Sequence, residues 1–355
     1  MIVANNQSGS SFGGAGMDST SAVRATGTST PITSSVPRIT LRDEEREALA
    51  RALEAIEADF QRDPEAFLIA ARAAAGAAPM RVQQALAAVA NDPAAHGVLL
   101  LRNLPQEREL PATPLDGALP EGRALRVALG AHLGLAQMVA QPFGYVHERR
   151  GTIVHAIAPV PGHERSGTSK SSETLLNMHS EISWNAQRPS HLVLSCLRAD
   201  HAGEALTLLA SAREALARLD ASHVALLRQP LFRIPAPESF RVGHGGAVLY
   251  SDPSPLVSGP EDLPELRMNR FIVGVSPEAI AAHAELAAAL EHPDVVEAVR
   301  LRPGQMLVID NRKYVHGRTR FTPRLDGTDR WLFRSYLRPS GWDARRFPGA
   351  ASRTV

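Results

Sequence analysis

The segment TDRWLFRSYLRP (residues 328–339) alternates its side chains with the period of a β-strand. Successive side chains of a strand point to opposite faces. One face would carry Arg330, Leu332, Arg334 and Tyr336, and the other Trp331, Phe333, Ser335 and Leu337. In one interpretation the aromatic residues form the core and the arginines lie in water. In the other, both arginines are buried in a barrel, which costs free energy unless each meets an anion such as a small-molecule carboxylate.

A second segment, NMHSEISWN (residues 177–185), places His179 and Glu181 two positions apart. On a strand this spacing turns both side chains to one face, where they could hold one metal ion. His316, 135 residues after Glu181 (316 − 181), offers a third ligand. Two histidines and one carboxylate with open positions are typical of non-haem Fe(II) oxygenases. The alternatives are a surface histidine beside a solvated glutamate, and a turn histidine at position 316.

The remaining chain predicts many short strands interrupted by helices. Helical patterns fill much of the region from Thr40, a candidate N-cap, to about residue 137, and return near residues 211–219 and 276–292. Strand-like runs dominate the centre and the end, with DNR (residues 310–312) as a tight turn between two of them. This order favours an α+β fold with a double-sheet barrel, or jelly roll, flanked by N-terminal and inserted helices.

Composition limits the possible partners and the domain organisation. The chain has 355 residues and a formal net charge of +1, which does not indicate a nucleic-acid or membrane partner. No apolar run is long enough to span a membrane, and the single cysteine, Cys196, fits a reducing cytoplasm. We expect a disordered tail over residues 1–37, one domain over 38–345 and a flexible tail over 346–355. The sequence makes no prediction of the oligomeric state.

Three blocks of the chain resemble the clavaminate synthase-like Fe(II)/2-oxoglutarate-dependent oxygenases of the taurine-dioxygenase-like superfamily. They are TLLNMHSEISWNAQRPSHLVLSCLR, GEALT and DNRKYVHGRTRFTPRLDGTDRWLFRSYLRP. The resemblance covers roughly residues 95–340 and is most specific in the last block. It implies a distorted double-stranded β-helix, with Fe(II) and the co-substrates 2-oxoglutarate and O2.

Carried over by position, the resemblance implies a role for each site residue. His179, Glu181 and His316 would hold iron. Arg330 would bind the distal carboxylate of 2-oxoglutarate with support from the Thr207 hydroxyl. Arg334 would bind the α-carboxylate of a free amino acid. Related halogenases replace the carboxylate ligand by a small residue, so its presence here favours hydroxylation.

Weaker candidates surround this set. Glu148 precedes a strand where relatives place substrate contacts, and the SGTSKSSE loop (residues 166–173) is either a lid or an ordinary surface loop. Relatives that hydroxylate basic amino acids carry acidic residues on the segment that reads ELRMNRFIVG here, whereas this chain offers Arg270. We therefore expect a substrate whose far end is neutral, polar or anionic.

The resulting functional hypothesis is hydroxylation of a free amino acid or amino-acid derivative, in specialised metabolism. Desaturation or oxidative ring closure with the same cofactors remains open. A metal-binding barrel without catalytic activity and a zinc hydrolase are further alternatives, because a three-ligand open site serves both. A zinc hydrolase would have no need for Arg330 and Arg334.

Overall fold

The computed structural model describes residues 35–241, 248–340 and 353–354. Most of both expected tails therefore lies outside the described residues. Val36, placed in the N-terminal tail by the sequence, is buried, and its amide donates to a Glu297 carboxylate oxygen at 3.1 Å. Val36 is thus packed into the fold, two residues before the expected start of the domain at residue 38.

Seven α-helices lie in the described residues, four of them before the main strands. They are α1 (Asp43–Glu54), α2 (Pro64–Ala74), α3 (Met80–Asn91), α4 (Arg126–Ala136), α5 (Ala212–Leu216), α6 (Ala221–Leu227) and α7 (Pro277–Leu290). The expected N-cap at Thr40 is wrong, because Thr40 ends the first strand and Arg42 caps α1. The backbone amide of Arg42 instead donates to Glu45 in the first turn, as in a capping box.

Fifteen short strands accompany the helices. They are β1 (Arg38–Thr40), β2 (Val98–Arg102), β3 (Gln141–Phe143), β4 (His155–Ile157), β5 (Leu176–His179), β6 (His191–Arg198), β7 (Thr207–Ser211), β8 (Phe232–Arg233), β9 (Val257–Ser258), β10 (Glu265–Leu266), β11 (Val273–Gly274), β12 (Val296–Val299), β13 (Gln305–Asp310), β14 (Tyr314–Arg318) and β15 (Trp331–Arg338). The α+β class predicted from the sequence is confirmed.

Two sheets make up most of the strand structure. The larger has the order β1-β2-β13-β6-β15-β3, with β4 also paired to β15, and the smaller has the order β12-β7-β14-β5. All described strand pairs except β1–β2 are antiparallel. β13 and β14 do not pair with each other. The expected tight turn at DNR is confirmed, since the Lys313 amide donates to the Asp310 carbonyl at 3.2 Å, and this turn carries the chain from the larger sheet to the smaller one.

Both faces of β15 are buried, which decides between the two interpretations of its alternation. Trp331 and Phe333 pack in an apolar cluster with the N-terminal helices. Leu332 and Tyr336, on the other face, pack in a second cluster that includes Leu209 of the smaller sheet. Arg330 and Arg334 are only 5% and 7% exposed, so the interpretation that places them in water is wrong.

None of the helices in the described parts of the chain is long and apolar enough to cross a membrane. Cys196 is buried on β6, where its thiol lies 3.6 Å from the Leu301 carbonyl oxygen. Burial raises the pKa of this thiol to about 12, so Cys196 contributes a small apolar side chain to the core.

Candidate metal centre

The two histidines of the predicted metal site face each other across two strands of the smaller sheet. His316 of β14 is the direct register partner of His179 on β5, and their ring centroids are 4.4 Å apart. One carboxylate oxygen of Glu181, Oε1, lies 4.0 Å from His179 Nε2 and 3.6 Å from His316 Nε2. The three donor atoms lie within 4.8 Å of one another. The structure therefore brings together all three residues singled out in the sequence.

Glu181 reaches the histidines from a turn, and the expectation that it shares a strand with His179 is wrong. β5 ends at His179, and Ile182 adopts a left-handed backbone with φ of 50°. The Asn311 side chain holds this turn: its Oδ1 accepts from the Glu181 amide at 2.8 Å, and its Nδ2 donates to the Glu181 carbonyl at 3.1 Å. Asn311 is fully buried and was missed as a site residue, although it is the central residue of the DNR turn.

The protonation states of this cluster suit a metal ion. The Nδ1 of His179 lies 2.8 Å from the Asn177 carbonyl, which can only accept, so Nδ1 carries the proton and Nε2 keeps its lone pair. Burial and the neighbouring His316 lower the pKa of His179 to about 4, so the ring is neutral at pH 7. Burial opposes ionisation of Glu181, but Arg334 and the two histidines hold its pKa well below the usual range. Two imidazoles and one carboxylate fit the donor set of a non-haem iron centre.

Arg334 lies on the larger sheet and contacts the metal cluster directly. Its Nη1 donates to Glu181 Oε1 at 2.7 Å, and its Nη2 donates to Glu148 Oε1 at 2.8 Å. Although burial works against the charge, Glu181 and Glu148 together raise the pKa of Arg334. Burial, in contrast, raises the pKa of Glu148. The structure thus brings Glu148, a weak candidate in the sequence, next to Arg334.

His155 and Tyr336 complete the surroundings of this guanidinium. The Nε2 of His155 lies 3.0 Å from the Thr152 carbonyl, which fixes the proton on Nε2. Its Nδ1 therefore accepts from Arg334 Nη2 at 2.9 Å. The Tyr336 hydroxyl lies 3.1 Å from both Glu181 Oε2 and Glu148 Oε1. His155 and Tyr336 were both missed as site residues, but Tyr336 shares the strand face of Arg334 and could have been included.

Two buried polar atoms in this group make no hydrogen bond within the described residues. They are Glu148 Oε2, an acceptor, and Arg334 Nε, a donor. A buried polar atom without a partner costs about 1–3 kcal/mol, so native structures rarely leave one without a reason. An ammonium group could donate to the first atom and a carboxylate could accept from the second. We call Glu148, His155, Arg334 and Tyr336 the Arg334 cluster.

Arg330 is buried in a different environment near the start of β15. Within the described residues it makes no hydrogen bond or ion pair, and its guanidinium carbon lies 5.8 Å from the centroid of the Phe321 ring. Burial lowers the pKa of Arg330, and only Cys196 and Asp200 oppose this shift. A buried cation without an anionic partner is unfavourable, so its position suits an anion that is not part of the chain.

Arg318 is a second buried arginine at this place, and the sequence reasoning did not single it out. It follows His316 by two positions on β14 and is the register partner of Thr207 on β7. Its guanidinium carbon lies 5.1 Å from the Phe321 centroid, on the ring that Arg330 also contacts. The i, i+2 rule that linked other residues could have found it. We call Thr207, Arg318, Phe321 and Arg330 the Arg330 cluster.

The SGTSKSSE loop is held against the Arg330 cluster. Arg318 Nη2 donates to the Ser171 hydroxyl at 3.2 Å and to the Thr174 carbonyl at 3.3 Å. Ser171 and Ser172 are buried, and the Phe321 amide donates to the Ser172 carbonyl at 2.9 Å. These contacts agree with a loop that covers a site more than with an ordinary surface loop.

Arg270 does not join either cluster. The segment that carries it is irregular between β10 and β11, so the expected strand is wrong there. Arg270 is exposed, and its Nη1 donates to the Asn177 side chain at 3.3 Å. The same Asn177 accepts from His179 through its backbone carbonyl, which places Arg270 at the outer edge of the metal strand.

Two known oxygenases are similar to this chain in sequence. The chain is 39% identical over 251 residues to clavaminate synthase 2 of Streptomyces clavuligerus, covering 68% of this chain and 74% of the relative. It is 35% identical over 286 residues to L-asparagine oxygenase of Streptomyces coelicolor, covering 80% of this chain and 83% of the relative. The clavaminate synthase-like resemblance predicted from the sequence is confirmed.

The structural comparison extends over nearly the whole described chain. A solved structure of asparagine oxygenase in complex with Fe(II), 2S,3S-3-hydroxyasparagine and succinate matches with a TM-score of 0.81 and 31% identity, covering 90% of this chain and 98% of that one. The family model for "Taurine catabolism dioxygenase TauD, TfdA family" matches residues 61–336. The chain therefore belongs to the TauD/TfdA dioxygenase family.

Proposed function

We propose that the protein hydroxylates a free α-amino acid, with His179, Glu181 and His316 holding Fe(II). The chain is an Fe(II)- and 2-oxoglutarate-dependent oxygenase of the amino-acid hydroxylase branch. The assignment is carried by two observations together: the three-donor metal cluster, and a buried Arg330 that pairs with no anion among the described residues. A zinc hydrolase would need the cluster but not the arginine.

The two sheets support the proposal of a distorted double-stranded β-helix, or jelly-roll, core. The metal ligands and the Arg330 cluster are supplied largely by β5, β7 and β14 of the smaller sheet. The Arg334 cluster is supplied by β4 and β15 of the larger sheet and the turn after β3. A site between two sheets is the arrangement by which such barrels hold small ligands.

The Arg330 cluster supplies the binding site for the co-substrate. Arg330 would pair with the distal carboxylate of 2-oxoglutarate. Thr207 and Arg318 are register partners on β7 and β14, in the same sheet as the two metal histidines. The guanidinium groups of Arg318 and Arg330 both lie beside the Phe321 ring, and their positive charges repel each other. A carboxylate bound between them would offset this repulsion. Bound iron, 2-oxoglutarate and O2 together supply the oxidation of an unactivated C–H bond.

The Arg334 cluster has unfilled hydrogen-bonding capacity that matches the two charges of an α-amino acid. The substrate carboxylate would accept from Arg334, and the ammonium group would donate to Glu148, whose Oε2 has no hydrogen-bond partner in the described part of the chain. Holding both groups fixes the substrate's Cα relative to the metal ligands, because Arg334 also contacts Glu181. The protein's contribution is this fixed position, which selects the carbon that is oxidised.

The charges near this cluster favour a side chain that is neutral, polar or anionic. Glu148 and Glu181 are the two carboxylates that Arg334 contacts, and both have roles at the amino-acid head group and the metal. The neighbouring cations are Arg149, which lies next to Glu148 in the chain, and Arg270 at the outer edge. Both carboxylates that Arg334 contacts are thus already engaged, so neither would pair with the cation of a basic substrate side chain.

Anaerobic titration tests the metal site and the co-substrate together. Adding Fe(II) and 2-oxoglutarate should produce a weak visible charge-transfer band in the full-length protein. His179→Ala and His316→Ala should each abolish the band. A band that persists in both variants would contradict the ligand set.

A succinate-release screen then tests the substrate. We expect asparagine, glutamine, aspartate or glutamate to stimulate succinate release more than lysine, ornithine or arginine does. Product mass separates the outcomes: a gain of one oxygen indicates hydroxylation, and a loss of two hydrogens indicates desaturation or ring closure. Preferential turnover of the basic amino acids would overturn the proposed substrate class, whereas the charge-transfer band would still support the enzyme class.

A further inference from the structure

The Arg334 cluster depends on a turn whose backbone is unusual. Residues 145–152, which we call the substrate turn, carry Glu148, and both Arg149 and Arg150 have positive φ angles of 48° and 59°. Left-handed backbone at residues other than glycine costs free energy and persists only where surrounding contacts enforce it. Contacts with other parts of the chain must therefore enforce the conformation of Arg149 and Arg150.

The substrate turn holds Arg334 in two ways. Glu148 accepts from Arg334 Nη2 at 2.8 Å. The Thr152 carbonyl accepts from His155 Nε2 at 3.0 Å, which orients the His155 ring so that its Nδ1 accepts from Arg334 at 2.9 Å. A shift of the turn would therefore disturb both contacts to the guanidinium.

The C-terminal residues Arg353 and Thr354 pack directly against this turn. The Gly144 amide donates to the Arg353 carbonyl at 2.9 Å, and Gly144 forms a parallel bridge with Thr354. A Cβ on Gly151 would lie 2.5 Å from Thr354 Cγ2, and a Cβ on Gly144 would lie 2.4 Å from the Gly151 carbonyl oxygen. The absence of side chains on both glycines is what allows the three backbone segments to approach so closely.

The Arg353 side chain fixes this contact to the helical layer. Its Nε donates to Glu65 Oε1 at 2.6 Å and its Nη2 donates to Glu65 Oε2 at 3.0 Å, a bidentate pair with the first turn of α2. Its Nη1 also donates to the Gln141 side chain at 3.2 Å, on the strand that leads into the substrate turn. Bidentate arginine–carboxylate pairs define geometry as well as energy.

We propose that Arg353 and Thr354 are positioning residues for amino-acid binding: they hold the substrate turn so that Glu148 and His155 orient Arg334. The inference rests on the proposed function only in that Arg334 receives the substrate carboxylate. Arg353 and Thr354 then shape the substrate site without touching the substrate.

Hydrogen exchange on the full-length, metal-free protein tests the coupling without any ligand. In Arg353→Ala the amides of Glu148, Gly151 and Thr152 should exchange faster, by about threefold to tenfold, because a partly exposed bidentate pair contributes about 1 kcal/mol. Arg218→Ala is the matched control, since it removes an arginine that pairs with Asp294 at 2.7 Å outside both clusters. Unchanged exchange over the substrate turn in Arg353→Ala would overturn the proposal, as would an equal increase in Arg218→Ala.

Kinetics and rescue separate positioning from a merely structural role. Arg353→Ala should raise the half-saturating concentration of the amino acid that stimulates most succinate release, while the 2-oxoglutarate charge-transfer band stays unchanged. The charge-swapped double variant Glu65→Arg/Arg353→Glu should restore slow exchange, and Arg353→Glu alone should not. Weakening of the 2-oxoglutarate band together with amino-acid binding would contradict the proposal. Absence of the band in the unmodified protein would instead contradict the proposed function.

Discussion

Arg330 and Arg334 lie four positions apart at β15, are equally buried, and meet opposite electrostatic environments. Arg334 pairs with two carboxylates, which raise its pKa. Arg330 pairs with none within the described residues, and burial lowers its pKa. The difference indicates two modes of anion binding. Arg330 would gain its first anionic partner from a ligand, whereas Arg334 is already paired with two carboxylates of the protein and would bind a ligand in addition to them.

This difference has a thermodynamic consequence. Removing one partner of a buried ion pair leaves the other charge uncompensated, whereas removing an unpaired buried charge relieves a desolvation cost. The same substitution at the two positions should therefore change stability in opposite directions. Substitutions at Arg334 and Arg330 measure this difference directly.

Arg334→Met should strongly destabilise the metal-free protein. It leaves Glu148 and Glu181 buried without their cation, which costs about 3–5 kcal/mol in comparable pairs. Urea unfolding of the metal-free protein measures this loss. Adding Glu148→Gln should recover part of it. The 2-oxoglutarate band of the iron-loaded variant should persist, and its loss would mean that the roles of the two arginines are reversed.

Arg330→Met should leave the metal-free protein at least as stable as before but weaken 2-oxoglutarate binding. The loss of a buried carboxylate pair corresponds to about 2–4 kcal/mol, or roughly 30- to 1,000-fold in affinity. Anaerobic titration of the charge-transfer band measures the affinity, with Arg330→Lys as the charge-conserving control. A marked drop in the stability of the cofactor-free protein would contradict the conclusion that Arg330 is a buried charge without a partner in the described chain.

His132 extends the comparison to a buried base with neutral partners. Its ring nitrogens lie 2.7 Å and 2.9 Å from the Ser195 and Ser335 hydroxyls, and burial lowers its pKa to about 3. In the unfolded chain His132 is protonated below about pH 6.5, whereas burial keeps the ring neutral in the folded protein down to about pH 3. The contribution of the neutral ring to stability is therefore complete above pH 6.5 and is lost as the pH falls towards 3. At pH 5, roughly 1.5 pH units below the pKa of an unfolded histidine, the free energy of unfolding is lower by about 2 kcal/mol.

The difference in unfolding free energy between the wild-type protein and His132→Gln measures this contribution. The variant should lose less stability than the wild type between pH 7 and pH 5. Parallel pH profiles would show that His132 is already protonated in the folded state or is not buried as described.

Glu148→Gln should have the smallest effect. Glutamine keeps an acceptor for Arg334, and Arg334 keeps its ion pair with Glu181, so the guanidinium is not left uncompensated and stability should change little. Amino-acid binding should weaken by about tenfold, which corresponds to about 1.4 kcal/mol for one charge-assisted hydrogen bond. The ratio of half-saturating concentrations for the amino acid and for 2-oxoglutarate measures the effect. An equal change in both would contradict a role confined to the amino acid.

Local periodicity in the sequence was enough to predict the α+β class and the strand alternation of β15. The residue types suggested the metal donors, and the family resemblance implied their roles together with those of Arg330 and Thr207. The roles themselves remain predictions, but the structure brings the named metal residues together.

Only the tertiary structure decided how those residues are held. Asn311 fixes the Glu181 turn across 130 positions, and Glu148 reaches Arg334 across 186. Arg318 faces Thr207 because of the register between β14 and β7, and Arg353 reaches α2 across 288 positions. Periodicity fixes which face a side chain occupies, but the partner on that face depends on strand order and register, which arise from packing of the whole chain.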